Sequence, residues 1–292
     1  MAVILAMAGS AIGLGNMWRF PYMVGQHGGA AFIILYILCS LFIALPIFFS
    51  ESIIGKYGGS STYEALEKIS PQGKWKYTGF LVSFSCFVIV SFYCVVGGWS
   101  LDFLFRSLSG SLASPGGQAT SVFQSMTSTV WEPLLMLTLF MGITALIVSK
   151  GVDKGIGAFS KLMMPILFII IILIVIRSCT LPGAKAGIDY LVRPDFSKID
   201  GPAIAAALGQ SFFSLSLGVG CILTYSSYMK KEEHIFHTGI WTAVFDTCFA
   251  VLAGFAIMPA VFASGLEPSA GPSLVYEILP VIFAKMGVVV PV

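Results

Sequence analysis

The stretch "AGSAIGLGNMWRFP", residues 8–21, interrupts the first apolar segment of the chain with three glycines, a serine, an asparagine and an arginine. Glycine lowers helix propensity sharply, and unwound backbone at membrane depth is tolerated only where it lines a cavity inside a protein. The carbonyl groups freed by such a break can act as ligands. Close helix packing is the alternative interpretation, because membrane helices also use glycine and serine for that purpose.

The composition of the chain indicates a protein that crosses a membrane several times. The 292 residues are 57% hydrophobic and 10% charged, whereas about a quarter of the residues in a soluble domain are charged. The net charge of +2 is spread without any basic block, so we expect no nucleic-acid partner. The six cysteines lack the spacing of metal ligands, and we interpret them as small buried apolar residues.

Seven segments reach the length of about 20 apolar residues that a membrane-spanning helix needs. They cover residues 2–22, 30–55, 77–105, 130–149, 158–179, 203–229 and 238–264.

Lysines concentrate in the loops after spans two, four and six, which predicts that these loops and the N-terminus are cytoplasmic. Residues beyond 265 predict a hairpin of short re-entrant helices. We therefore expect an all-α, multi-pass protein of the cell inner (plasma) membrane.

A second interruption, "GQSFFSLSLGVG", occupies residues 209–220 in the middle of span six. Broken spans at positions one and six correspond to each other if the chain is built from five-helix repeats. Such a pair predicts a transporter made of inverted repeats, with the substrate and ion sites at their interface. The second interruption therefore favours a binding site over close packing as the reason for the first.

Both interruptions, together with "HGGAAF" (27–32), "TYSSY" (224–228) and "FDTCFAVLAG" (245–254), resemble the neurotransmitter:sodium symporter family. The resemblance is strongest to the bacterial amino-acid transporters of that family. It implies a leucine-transporter-like fold with more spans than the seven found here, so we expect the chain to be a fragment of a longer transporter. Residues 1–180 would form the first five-helix repeat and residues 181–292 an incomplete second repeat.

The resemblance also implies oxygen ligands for Na⁺, the expected coupling ion. One sodium site would use Ala11, Asn16, Ser214 and Asp246, and a second would use the carbonyls of Gly9 and Ile12 with a span beyond this chain. Asp246 departs from the more familiar asparagine, and an ionisable group inside a span is functional by default. An aspartate capping a short helix near the interface is the alternative. A carboxylate here would replace the chloride of chloride-dependent relatives, so we expect chloride independence, with proton counter-transport as a further expectation.

The same resemblance defines a substrate site. Monoamine-carrying relatives have an aspartate at the position of Gly13, and its absence here implies a substrate with its own carboxylate, as an α-amino acid has. Tyr93 matches the tyrosine that binds this carboxylate, although alone it is an ordinary amphipathic aromatic residue. Val219 replaces a bulkier aromatic residue, which favours a large hydrophobic or aromatic amino acid. The expected lining residues are Ser10, Ala11, Leu14, Gly15, Ile89, Tyr93, Phe213, Ser214, Ser216 and Val219.

Two further charged residues have two interpretations each. Arg19, with Gln210 and Phe213, matches the extracellular gate of the family, or its side chain simply extends to the membrane surface. Glu51 either accepts hydrogen bonds from backbone N–H groups freed by a break or is an ordinary glutamate at the cytoplasmic interface.

Two other classes of function compete with transport. A membrane-embedded enzyme would need a nucleophile and base or a metal cluster, but the three histidines lie in loops and neither HExxH nor GxSxG occurs. A non-transporting amino-acid-binding module is the other alternative. We expect a sodium-coupled amino-acid symporter that works by alternating access, with no catalytic residues.

Overall fold

A computed structural model describes residues 2–109, 122–123, 125–126 and 128–265, and within these ranges it contains helices and no strands. The hairpin expected beyond residue 265 and most of the loop between spans three and four lie outside the described residues.

Five continuous helices in this part of the chain are long and apolar enough to cross a membrane. They are Ala30–Gly58, Trp75–Leu108, Trp131–Val148, Lys154–Cys179 and Ile235–Ala263, which are spans two, three, four, five and seven. Their ends lie within four residues of the ends predicted from the sequence. Spans one and six are absent from this set because each is broken into two shorter helices.

Span one consists of the helices Ala2–Ala11 and Phe20–Gln26, joined by a bend at Ile12 and Gly13 and a π-helical turn over Gly15–Arg19. The first glycine of the interrupted stretch, Gly9, lies before this bend. Gly9 is helical and packs against span five, where a Cβ added to it would lie 2.8 Å from Ser160 Oγ. This glycine therefore serves close packing.

Span six consists of the helices Gly201–Ser214 and Cys221–Ser227, joined by turns over residues 215–220. The break is real but shorter than the predicted 209–220. Ser216, Gly218 and Gly220 have φ angles of 54°, 77° and 76°, a left-handed conformation that glycine adopts without steric penalty. The two glycines thus allow the backbone to leave the helical conformation between the two halves of the span.

Span seven lies at the centre of the described structure and span four at its edge. In span seven, 61% of the most apolar 18-residue stretch is buried, whereas span four has no buried residue. The interior includes Phe20, Tyr36 and Phe249. The exposed apolar side chains of spans three and four suit contact with lipid. Asp246 consequently sits where spans one, two and six meet span seven.

Two short loop helices, Thr62–Ile69 and Ala184–Val192, were not predicted. The first begins with a capping-box sequence, "STYE", in which Ser61 Oγ accepts a hydrogen bond from the Glu64 backbone N–H. That motif is the sequence signal that could have identified it.

Candidate ion and substrate site

A buried cluster of oxygen atoms lies between the two breaks and span seven. Asn16 Nδ2 donates to Asp246 Oδ1 at 2.7 Å and to the Asp246 carbonyl at 3.1 Å. Ser214 Oγ lies 2.7 Å from Asp246 Oδ2 and 3.0 Å from Asn16 Oδ1. The structure thus brings together three of the predicted ion ligands, one from each of spans one, six and seven.

The charge of this cluster comes from a single carboxylate. Asp246 is 1% exposed, and its hydrogen-bond partners among the described residues are the neutral side chains of Asn16, Ser214 and Tyr36. A buried charge without a counterion is unfavourable. Hard cations such as Ca²⁺ and Mg²⁺ take carboxylate, carbonyl and water oxygens as ligands, and Na⁺ has the same preference. The residues present therefore fit a bound Na⁺.

Tyr36 in span two is a member of the cluster that the sequence did not reveal. Its hydroxyl is fully buried, donates to Asp246 Oδ2 at 3.1 Å and lies 3.3 Å from Ser214 Oγ. In the sequence it is one tyrosine in the apolar run "FIILYILC", and buried tyrosines commonly use their hydroxyl for a structural hydrogen bond. Only the tertiary structure shows that this hydroxyl supports the carboxylate.

The bend in span one leaves backbone oxygens free. The carbonyls of Gly9 and Ile12, assigned to the second sodium site, accept no backbone hydrogen bond from the residues that follow the first helix in the described chain. Ala11, assigned to the first site, is the last residue of that helix and is buried. Their role as ligands stays a prediction.

The predicted gate residues Arg19, Gln210 and Phe213 form one cluster beside the breaks. Arg19 Nη1 donates to Gln210 Oε1 at 2.7 Å, and the guanidinium carbon lies 5.1 Å from the centre of the Phe213 ring, a cation–π distance. The Tyr93 ring centre is 6.3 Å from that of Phe213. Phe213 also packs on Gly15, where an added Cβ would lie 2.8 Å from the ring. Arg19 therefore contacts span six and not only the membrane surface.

Further polar contacts join the first break to the second, and the second break to span two. Ser216 Oγ donates to the Ser10 carbonyl at 3.3 Å. The Gly218 backbone N–H donates to Glu51 Oε1 at 2.7 Å. Of the two interpretations of Glu51, the structure shows the first, since this carboxylate satisfies an N–H group freed by the break.

Two of the apolar residues expected to line the substrate pocket lie within the breaks. Leu14 and Val219 are half-buried within the two breaks, and Ile89 is half-buried on span three. Gly13 is exposed, and a Cβ added to it would meet no atom within 4 Å. The bend of span one therefore faces open space, but the contacts of a substrate with these residues stay predictions.

The chain matches one family of membrane transporters over most of its length. The model of the sodium:neurotransmitter symporter family matches residues 1–127 and 116–266. The chain belongs to this family. It is similar to the sodium-dependent transporter YhdH of Bacillus subtilis, with 39% identity over 97% of this chain and 63% of that protein. It is also similar to the sodium- and chloride-dependent GABA transporter 2 of Rattus norvegicus, with 28% identity over 88% of this chain and 49% of that protein.

A solved structure of another member shares the fold. The crystal structure of MhsT in complex with L-phenylalanine matches with a TM-score of 0.94 and 41% identity, over 99% of this chain and 66% of that chain. The predicted all-α inverted-repeat fold with spans one and six broken is thus confirmed. This symporter-family chain spans less than two thirds of the length of these relatives. The family and these relatives are transporters and not enzymes.

Proposed function

We propose that the protein is a sodium-coupled symporter that carries an α-amino acid across the membrane by alternating access. The observation that supports this proposal most directly is the buried cluster of Asn16, Ser214 and Asp246 between the two broken spans. It offers oxygen ligands and one negative charge to a cation. The sodium dependence named for the relatives supports the same ion.

Sodium would couple the moving parts of the protein through this cluster. Its ligands come from spans one, six and seven, so a bound Na⁺ holds both breaks in one arrangement. Transport would follow from rocking of spans one, two, six and seven against the remaining helices. The proposal places the N-terminus in the cytoplasm, because the lysine-rich loops follow the even-numbered spans.

The proposed substrate class rests on a carboxylate that is absent at Gly13 and on the side chain of Tyr93. Gly13 leaves the bend of span one without a carboxylate, so a substrate must bring its own. Tyr93 lies beside Phe213, the ring that Arg19 also contacts, and is the proposed partner of that carboxylate. The complex of MhsT with L-phenylalanine supports a large hydrophobic or aromatic amino acid.

The proposal is tested by uptake of a panel of labelled amino acids into membrane vesicles that contain the protein. We expect uptake to require an inward sodium gradient and to stop when a sodium ionophore dissipates it. Uptake that continues when potassium replaces sodium would contradict the coupling. Sodium-dependent binding without uptake would support the non-transporting binding module instead.

Replacing Val219 by Phe is expected to shift preference from large to small side chains by about tenfold or more. The reason is that Val219 lies half-buried in the break of span six, and pocket volume discriminates between apolar side chains by about 1–3 kcal/mol per methylene. The measurement is inhibition of labelled-substrate uptake by phenylalanine and by alanine. Val219→Ala is the matched control and should not favour the smaller amino acid. An unchanged ratio in Val219→Phe would remove Val219 from the pocket.

A further inference from the structure

The loop helix Thr62–Ile69, between spans two and three, contacts the break of span six through one buried hydroxyl. We propose that Thr62 is a positioning residue for the ion site, because it holds the inner half of span six in the arrangement that binds sodium. The inference rests on the proposed function, since it concerns how sodium binding is coupled to movement of the spans. The contact itself can be tested without transport.

Thr62 meets span six where the break ends. Its hydroxyl donates to the Gly220 carbonyl at 3.4 Å and lies 3.5 Å from the Thr224 hydroxyl. A Cβ added to Gly220 would lie 2.8 Å from Thr62 Oγ1, so the backbone at the end of the break lies directly against this side chain. Thr62 is 6% exposed. A buried hydroxyl that loses its partner is unfavourable, so the contact favours this position of span six.

The loop helix also packs on span three. A Cβ added to Gly79 of span three would lie 2.8 Å from the Tyr63 Cα and 3.2 Å from the Thr62 carbonyl oxygen. The two backbones therefore touch. Glu67 and Lys76 form an ion pair at 3.4 Å between the loop helix and the start of span three. Thr62 thus joins span six to an element that is fastened to span three.

The Thr62 contact differs from the other contacts of the break in what it connects. Four alternate residues in and beside the break each contact a different element. The four contacts are Ser214 with Asp246 in span seven, Ser216 with Ser10 in span one, Gly218 with Glu51 in span two and Gly220 with Thr62 in the loop helix. The first three join spans that rock together in the proposed mechanism, whereas span three lies outside that group. Rocking therefore has to change the Thr62 contact but not the other three.

The contact stabilises the arrangement in which the ion ligands are assembled. Asn16, Ser214 and Asp246 lie within hydrogen-bonding distance of one another in the same structure in which Thr62 reaches Gly220. A protein binds its ligand more weakly when its binding-competent arrangement is less populated. Loss of the Thr62 hydroxyl should therefore weaken sodium binding, although Thr62 lies on a different helix from every predicted ion ligand.

The first test compares Thr62→Val, which removes the hydroxyl and keeps the shape, with Thr62→Ser, which keeps the hydroxyl. In Thr62→Val we expect the apparent sodium affinity of uptake to fall about threefold, as for the loss of one hydrogen bond, and the maximal rate at saturating sodium to be retained. Thr62→Ser should keep the unmodified affinity. Thr138→Val is the matched control and should change neither value, because the exposed Thr138 hydroxyl bonds to the Leu134 carbonyl of its own helix.

Hydrogen–deuterium exchange followed by mass spectrometry measures the contact without transport. In Thr62→Val the backbone amides of residues 215–227, which form the break and the inner half of span six, should exchange faster at low sodium. Saturating sodium should restore the unmodified rate, since a bound ion holds the same arrangement. Exchange within span three should not change, because its contact with the loop helix is made by backbone atoms.

Each measurement can overturn the inference. Unchanged exchange over residues 215–227 in Thr62→Val would show that this hydroxyl does not hold span six. A lower maximal rate at unchanged sodium affinity, or an equal loss of affinity in Thr62→Ser, would refute the positioning role. If uptake of every amino acid tested is independent of sodium, the proposed function fails, but exchange without sodium still tests the contact. Thr62→Ala removes the same hydroxyl and repeats both measurements if Thr62→Val does not accumulate in the membrane.

Discussion

Asp246→Asn is expected to lower the apparent sodium affinity of uptake by about 10- to 100-fold, since each factor of ten corresponds to about 1.4 kcal/mol. The substitution removes the only negative charge of the oxygen cluster while keeping the size of the side chain. In the structure this carboxylate accepts a hydrogen bond from Asn16 and lies within hydrogen-bonding distance of Ser214 and Tyr36. The amide still offers one oxygen, so we expect weakened sodium binding and not unfolding.

The same variant tests the expectation of chloride independence. In the unmodified protein the Asp246 carboxylate already balances the charge of sodium, so replacing chloride by gluconate should not change uptake. In Asp246→Asn the site has lost this negative charge, and chloride should stimulate uptake. The measurement is the sodium dependence of uptake in each anion.

The matched control for Asp246 is another aspartate with the same substitution. Asp189→Asn alters an exposed carboxylate whose ion-pair partner is Arg193 on the same loop helix. Such surface pairs contribute about 0–1 kcal/mol to stability, so sodium affinity should not change. Chloride-stimulated uptake in the unmodified protein, unaltered by Asp246→Asn, would refute the role given to Asp246.

The two breaks show which features of the site could be predicted from the sequence and which could not. Length and hydropathy were sufficient to find the seven spans of the described part of the chain, because lipid imposes the same requirement on every spanning helix. The ends of the breaks were not predictable, because glycine has two uses in membrane helices. Gly9 packs against Ser160 in an unbroken helix, whereas Gly13 faces open space in the bend. Only the neighbouring span distinguishes the two cases.

Some residues of the site could be identified from the sequence, whereas others could be identified only in the structure. Asn16, Ser214 and Asp246 were assigned through the family resemblance, and the structure brings these three side chains together. Tyr36 was not identified from the sequence, because nothing in the sequence distinguishes it from a structural tyrosine in an apolar span.

Gly13→Asp is expected to reduce binding of an α-amino acid by at least a hundredfold. The new side chain fits, because a Cβ at Gly13 would meet no atom within 4 Å and the residue is exposed at the bend. The effect is therefore electrostatic. Two carboxylates about 4 Å apart repel by about 4 kcal/mol at an effective dielectric constant near 20, which corresponds to nearly a thousandfold in affinity.

The isosteric variant Gly13→Asn separates charge from size, because its side chain occupies the same volume without the negative charge. We expect it to keep amino-acid binding within about tenfold of the unmodified protein, a difference of about 1.4 kcal/mol. The measurement is competition against a labelled amino acid by that amino acid and by its decarboxylated amine. Gly13→Asp should favour the amine, because its carboxylate attracts the ammonium group and no longer meets a second carboxylate. Equal losses in Gly13→Asp and Gly13→Asn would mean that the substrate carboxylate does not bind at the bend of span one.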